Sequence, residues 1–95
     1  MNLKDIHLDN KGVSAKSISE TLKSNVTAIE ILKDGMLKEH ITKIPAVLIC
    51  VIGEVEYEDE KGDKINLKSG HFKEIEPMVK HWVKGIQDSQ LVLIK

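Results

Sequence analysis

The sequence predicts an all-β fold, a sandwich or barrel of short antiparallel strands. Three observations carry that prediction. Polar and apolar residues alternate with period two over 54–58 and 64–68. Residues 46–52, Ala46-Val47-Leu48-Ile49-Cys50-Val51-Ile52, form a continuous apolar run rich in Val and Ile. Turn-forming residues punctuate the second half at intervals of about ten positions, the spacing of short barrel strands.

Each element has its own reason. Glu54, Glu56 and Glu58 would face water while Val55 and Tyr57 face a core. Lys64, Asn66 and Lys68 alternate with Ile65 and Leu67 in the same way. Asp59-Glu60-Lys61-Gly62-Asp63 lies between them and makes the turn of a hairpin, with Gly62 free to take positive φ. The acidic side chains Glu54, Glu56, Glu58, Asp59 and Glu60 read as a solvated hairpin edge and tip that discourages edge pairing. The run 46–52, bounded by Pro45 and Gly53, reads as a strand covered on both faces.

Downstream, Val79, His81 and Val83 alternate with Lys80, Trp82 and Lys84, and Leu91-Val92-Leu93-Ile94 makes a last strand. Turns are expected at Asp34-Gly35, Ser69-Gly70 and 85–89. Asn25 followed by Val26 to Leu32 reads as a turn and a strand. Residues 13–19 read as a short strand or an irregular segment. A helix opening at Ser17-Ile18-Ser19-Glu20 stays open, because Ile18 and Leu22 lie four apart.

Composition bounds the function. Ninety-five residues make one domain, 1–95, with a single modest core. All 14 positive side chains are Lys, against 15 acidic ones, for a net charge of -1. Nucleic-acid binders rely on net positive charge, Arg forks and stacking rings, and here the only such rings are Tyr57, Phe72 and Trp82. No nucleic-acid partner is expected. The longest apolar run, 44–52, falls far short of the roughly 20 residues that span a bilayer, so no membrane segment is expected. One cysteine, Cys50, allows no intrachain disulfide, and the first residues lead into no apolar signal core. A cytoplasmic location follows as the expectation.

Two stretches carry a more specific signal. The first matches G-x5-H-x-H-x3,4-E-x6-G, with Gly35, then His40 one residue early, and Gly53 closing the pattern. Counted back from Gly53, the second His position falls on Thr42 and the Glu position on Ala46. The second stretch matches G-D-x3-I-P-P-G-x2-H at Gly70, Ile75, Pro77 and His81. His71, Glu76 and Met78 occupy its Asp, first Pro and second Gly. In these motifs the chain resembles the cupin superfamily, most strongly over 34–94. The resemblance implies a cupin-like jelly-roll β-barrel.

It also implies a site. Cupins that bind metal hold it with two His and a Glu of the first motif and the His of the second. Of these His40 and His81 remain, while Thr42 is a poor ligand and Ala46 is none. Zinc prefers three or four protein ligands, and non-haem iron two His and a carboxylate. The expectation is therefore no cofactor; a divalent transition metal (Zn, Ni, Mn or Fe), if one binds, would sit on His40 and His81.

By strand parity with position 46, Cys50 also lines the interior, about 13 Å further along at roughly 3.3 Å per residue. It is expected to be core rather than nucleophile. His40 and His81 are expected to face each other across an apolar lumen with few carboxylates, hydrogen-bonded to Thr42 or bridged by water. His7 and His71 are expected at the surface. Trp82 is expected to face away from the lumen, packed between sheets or in a dimer interface.

The leading functional expectation is a small non-catalytic barrel. It would bind a small, weakly polar ligand in a pocket lined by His40, Thr42, Ala46, Cys50 and His81. The alternative is a metal-dependent enzyme of dioxygenase or isomerase type with an incomplete ligand set. A homodimer is expected in either case.

Overall fold

Two antiparallel sheets face each other, and the apolar side of each supplies the core between them. The computed structural model describes residues 2–8, 12–18 and 25–95. Among these residues a one-turn helix, α1 (Leu3–Ile6), precedes nine strands. They are β1 (Val13–Ser17), β2 (Val26–Ile31), β3 (Met36–His40), β4 (Ala46–Ile52), β5 (Glu54–Asp59), β6 (Lys64–Lys68), β7 (Phe72–Ile75), β8 (His81–Gly85) and β9 (Ser89–Ile94). One sheet has the order β1-β2-β9-β4-β7 and the other β3-β8-β5-β6. This is a double-stranded jelly roll, as the alternation and the motifs predict. Among the described residues no helix is long and apolar enough to cross a membrane.

The expected hairpin forms, with Glu54 opposite Lys68 and Tyr57 opposite Ile65. Its opposite charges lie across from one another, a favourable cross-strand arrangement. Gly62 takes φ +95° in its turn. The core gathers Ile29, Ile31, Leu48, Val55, Tyr57, Leu67, Ile75, Val83 and Leu91, all buried.

Several expectations are corrected. Strand β4 is not covered on both faces: Ala46, Leu48 and Cys50 are buried, whereas Val51 and Ile52 are 39% and 54% exposed. That outer half is only partly covered, with Asn2 and Leu3 lining a shallow cleft against Val51 and Ile52, which an unbroken apolar sequence could not reveal. The segment 13–17 is a strand, paired with β2 from Val13–Ile31 to Ser17–Thr27. Ser17 belongs to that strand, and the rest of the helix alternative (19–24) lies outside the described residues.

Trp82 is half-buried on the outer side of its sheet, away from the lumen as parity requires, and so not between the sheets. His71 is exposed, its Nδ1 accepting from the Lys68 amide at 3.1 Å. His7 is not a surface residue: it is half-buried, with Nδ1 2.9 Å from Ser14 Oγ. The helix α1 brings it onto the outer face of the five-stranded sheet.

The two ends of the barrel are built differently. At one end, Gly53 takes φ +100°, and a Cβ there would meet Ser89 Oγ at 2.3 Å and the Asp88 carbonyl at 2.5 Å. Gly85 is equally tight, with the Leu32 carbonyl 2.2 Å from any added Cβ. At the other end, Met78 takes φ +65°, left-handed backbone, at the position where the second motif carries glycine.

Candidate functional site

Strands β3, β8 and β5 lie side by side and bring three polar side chains into one row. His40 of β3 pairs with His81 of β8, and His81 pairs in turn with Asp59 of β5. The two imidazoles do not face each other across the lumen. They are neighbours on one sheet, ring centroids 4.1 Å apart and planes at 61°. The register irregularity between Leu37 and His40 sets this pairing, since it changes which β3 residues face β8.

Each ring is tethered by one nitrogen. His40 Nδ1 lies 3.0 Å from the Lys38 carbonyl, and His81 Nδ1 lies 3.2 Å from the Val79 carbonyl. A carbonyl only accepts, so Nδ1 carries a proton in both rings, and in a neutral ring Nε2 keeps its lone pair. Among the described residues, no hydrogen bond occupies either Nε2. Burial lowers the pKa of His81, a direction that the neighbouring His40 reinforces and the Val79 carbonyl opposes. His81 is therefore neutral at neutral pH, while His40 is half-buried at the rim.

Thr42 follows two residues after His40 and is 2% exposed. Its carbonyl accepts the Met78 amide at 2.8 Å, which joins the segment after β3 to the segment before β8. Among the described residues its hydroxyl has no partner. The expected hydrogen bond from Thr42 to an imidazole is thus absent. A buried hydroxyl left unpaired costs on the order of 1–3 kcal/mol.

Asp59 was missed in the sequence. It was read as part of a solvated acidic tip, but it points inward and is 7% exposed. Its Oδ2 accepts the Tyr57 hydroxyl at 3.0 Å. Its Oδ1 accepts the amides of Lys61 at 3.0 Å and Asp63 at 3.2 Å, closing the hairpin turn. The signal was present: Val55 and Tyr57 face inward, and the same period reaches 59 before the turn begins. The lumen is accordingly less apolar than expected. Tyr57 stacks on His81 with centroids 5.8 Å apart, and Lys73 Nζ lies 5.6 Å from the tyrosine ring centre. Burial first, and then the Asp59 carboxylate, push the Tyr57 hydroxyl far above its usual pKa, so it stays a donor.

The remaining expected pocket residues separate. Ala46 is 3% exposed and lines a cleft of about 730 Å³ together with Pro45, Val47, Ile75 and Pro77. Lys73, Glu74, Glu76 and Lys95 add charge to its walls. His40, Thr42 and His81 are not part of that lining. Cys50 sits towards the opposite end, fully buried, its Sγ 3.7 Å from the carbonyls of Ile52 and Gly53. Burial and the Glu54 carboxylate raise its thiol pKa, which suits a core residue rather than a nucleophile.

A resident metal does not fit these residues. Two imidazoles supply two donors, Ala46 supplies none, and both Asp59 oxygens are taken by Tyr57 and the turn amides. Among the described residues no three His, Cys, Asp or Glu side chains converge as a metal site.

No protein-family model and no curated protein matches the chain. Solved structures do. A cupin superfamily protein from Desulfitobacterium hafniense superposes with TM-score 0.85 at 12% identity, over 98% of this chain and 84% of that one. A cupin-2 domain containing protein from Shewanella frigidimarina gives TM-score 0.80 at 18% identity, over 100% and 92%. An RmlC-like cupin with a double-stranded β-helix fold, from Methanocaldococcus jannaschii, gives TM-score 0.78 at 19% identity, over 94% and 84%. At such identities the likeness speaks for architecture. By strand order, two-sheet packing and superposition, this chain has the cupin fold.

Proposed function

We propose that the protein binds a small, weakly polar molecule at the barrel end that carries His40, Thr42 and His81, without chemical transformation. The observation that carries this reading is unused hydrogen-bonding capacity. Two tethered imidazoles keep free Nε2 lone pairs, and the buried Thr42 hydroxyl lacks a partner beside them in the chain. Proteins normally pair such groups, so a cluster of unpaired ones favours an external partner. The cleft at Ala46 lies at the same end and offers room for an apolar portion of the ligand. An enzymatic reading through a metal has two donors to rest on, too few for a stable site.

The test is a thermal-shift screen of neutral small molecules. A true ligand raises the melting temperature by mass action on the native state. The rise should shrink in Thr42→Val and His40→Phe. Equal shifts in wild type and both variants, or no stabilising compound, would remove this reading.

Self-association fits the outer face of the five-stranded sheet. Phe72, Ile49 and Val92 lie in register across β7, β4 and β9, and Val47 and Ile94 form the next row. Phe72 is 61% exposed and Ile94 37%. A second copy related by a two-fold axis would cover these rows with the same rows. Light scattering should give a dimer that Phe72→Glu dissociates; a monomeric wild type sinks the idea. A cytoplasmic setting is kept as part of the same proposal.

A further inference from the structure

Resting on His40, Thr42 and His81 as the ligand contacts, we infer that the ligand is a small neutral molecule presenting two neighbouring hydrogen-bond donors to the paired imidazole nitrogens.

The argument starts from the two backbone carbonyls. Lys38 and Val79 each take the Nδ1 proton of a histidine two residues away. A neutral imidazole has one N–H, so each ring presents an acceptor at Nε2. Two acceptors whose rings lie 4.1 Å apart call for two donors close together in the ligand.

Surrounding charge points the same way. The Asp59 carboxylate lies in register beside His81, on the adjoining strand. Lys73, which faces the interior, is engaged over the Tyr57 ring and 3.4 Å from Asp63 Oδ2. The chain has no Arg to form a bidentate carboxylate or phosphate clamp. An anionic ligand would therefore turn acceptors towards acceptors. The Thr42 hydroxyl both donates and accepts, and it takes up a third ligand atom of either kind.

Two neighbouring donors occur in a vicinal diol and in a cyclic urea, and the experiment separates these sources. The full chain, labelled with 15N, is titrated with cis-1,2-cyclohexanediol, 2-imidazolidinone, sodium acetate, inorganic phosphate and zinc chloride. The imidazole nitrogens are followed by two-bond 1H–15N correlation. Before titration, both rings should show protonated Nδ1 and unprotonated Nε2. The diol or the urea should move both Nε2 resonances and leave Nδ1 protonated, and whichever acts identifies the donor chemistry. Thr42→Val, which leaves the imidazoles in place, should weaken that response about 2- to 10-fold, the usual value of one hydrogen bond. His40→Phe should weaken it at least as much at His81.

Acetate or phosphate moving the Nε2 resonances while both donors leave them still overturns the ligand class, and leaves the binding site standing. Stoichiometric zinc uptake through both Nε2 atoms overturns the class in favour of a metal. Starting tautomers with protonated Nε2 overturn it before any ligand is added. Silence towards all five probes overturns both the class and the site.

Discussion

The two ends of the barrel solve opposite problems. At the Gly53 end the Ser89 hydroxyl ties the junction together inside the chain, although the neighbouring Gln90 amide oxygen is buried and unpaired among the described residues. Ser89 Oγ accepts the Glu54 amide at 3.0 Å and lies within donating distance of the Gln87 and Glu54 carbonyls, at 2.8 and 3.1 Å. Glycines there let backbones pass within contact distance. At the His81 end the Thr42 hydroxyl and two imidazole nitrogens are unspent, and Met78 occupies left-handed backbone that glycine would take at lower cost. One end is optimised for closure. The other keeps strain and free valences, which is where folds usually carry function.

The sharpest way to break this contrast is to disturb the closed end. Gly53→Ala adds a Cβ against backbone and forces φ +100° on an L-residue. It should cost about 3–5 kcal/mol, a fall of about 20 °C in melting temperature for a chain this size. A fall under about 5 °C would refute the tight closure.

Next comes the carboxylate that holds the open end together. Asp59→Ala strips the Tyr57 hydroxyl and two turn amides of their acceptor, and should cost about 2–4 kcal/mol in urea unfolding. Glu58→Ala, on the half-exposed outer face one residue earlier, should stay within about 0.5 kcal/mol. Equal effects would mean that Asp59 is only a surface acid.

Acid gives a smaller, graded effect. His81 has a folded pKa below its unfolded value, so below about pH 6.5 the unfolded chain binds the proton more readily. The stability due to keeping this ring neutral is present above that pH and is lost as pH falls towards the folded pKa. Urea unfolding at pH 7.5, 6.5 and 5.5 should record a decline of at most about 1.4 kcal/mol per pH unit from this one group. Substitution His81→Asn should flatten it. Stability that rises on acidification over this window contradicts the assignment.

The last two changes should stabilise. Met78→Gly relieves left-handed strain at φ +65° and should add up to about 1 kcal/mol, opposite in sign to Gly53→Ala. Thr42→Val removes an unpaired buried hydroxyl and should be neutral or stabilising by about 1 kcal/mol, while weakening ligand binding. Destabilisation by more than about 1 kcal/mol in either case would mean that the open end is as fully satisfied as the closed one.

Much of this was legible in the residues. Period two gave the hairpin and the inward parity of Val55, Tyr57, His81 and Val83, because alternation depends on nothing beyond the strand itself. The resemblance to the cupin motifs, carried by Gly35, His40, Gly53, Gly70 and His81, implied the barrel and its two histidines. The same reading placed Asp59 in the turn, since a run of acids looks solvated when composition is weighed before parity. It placed His7 at the surface, because only packing brings the first helix onto Ser14.

Local physics determined which side chains share a face. The resemblance to the cupin motifs, extended along strand β4 by side-chain parity, implied His40, Thr42, Ala46, Cys50 and His81 as interior candidates. Which strands become neighbours is a long-range choice. Tertiary structure alone decided that His40 adjoins His81 rather than facing it, and that Asp59 completes their row. It alone left Val51 and Ile52, at the end of strand β4, exposed. Sheet order brings together residues tens of positions apart, and no local pattern records that distance.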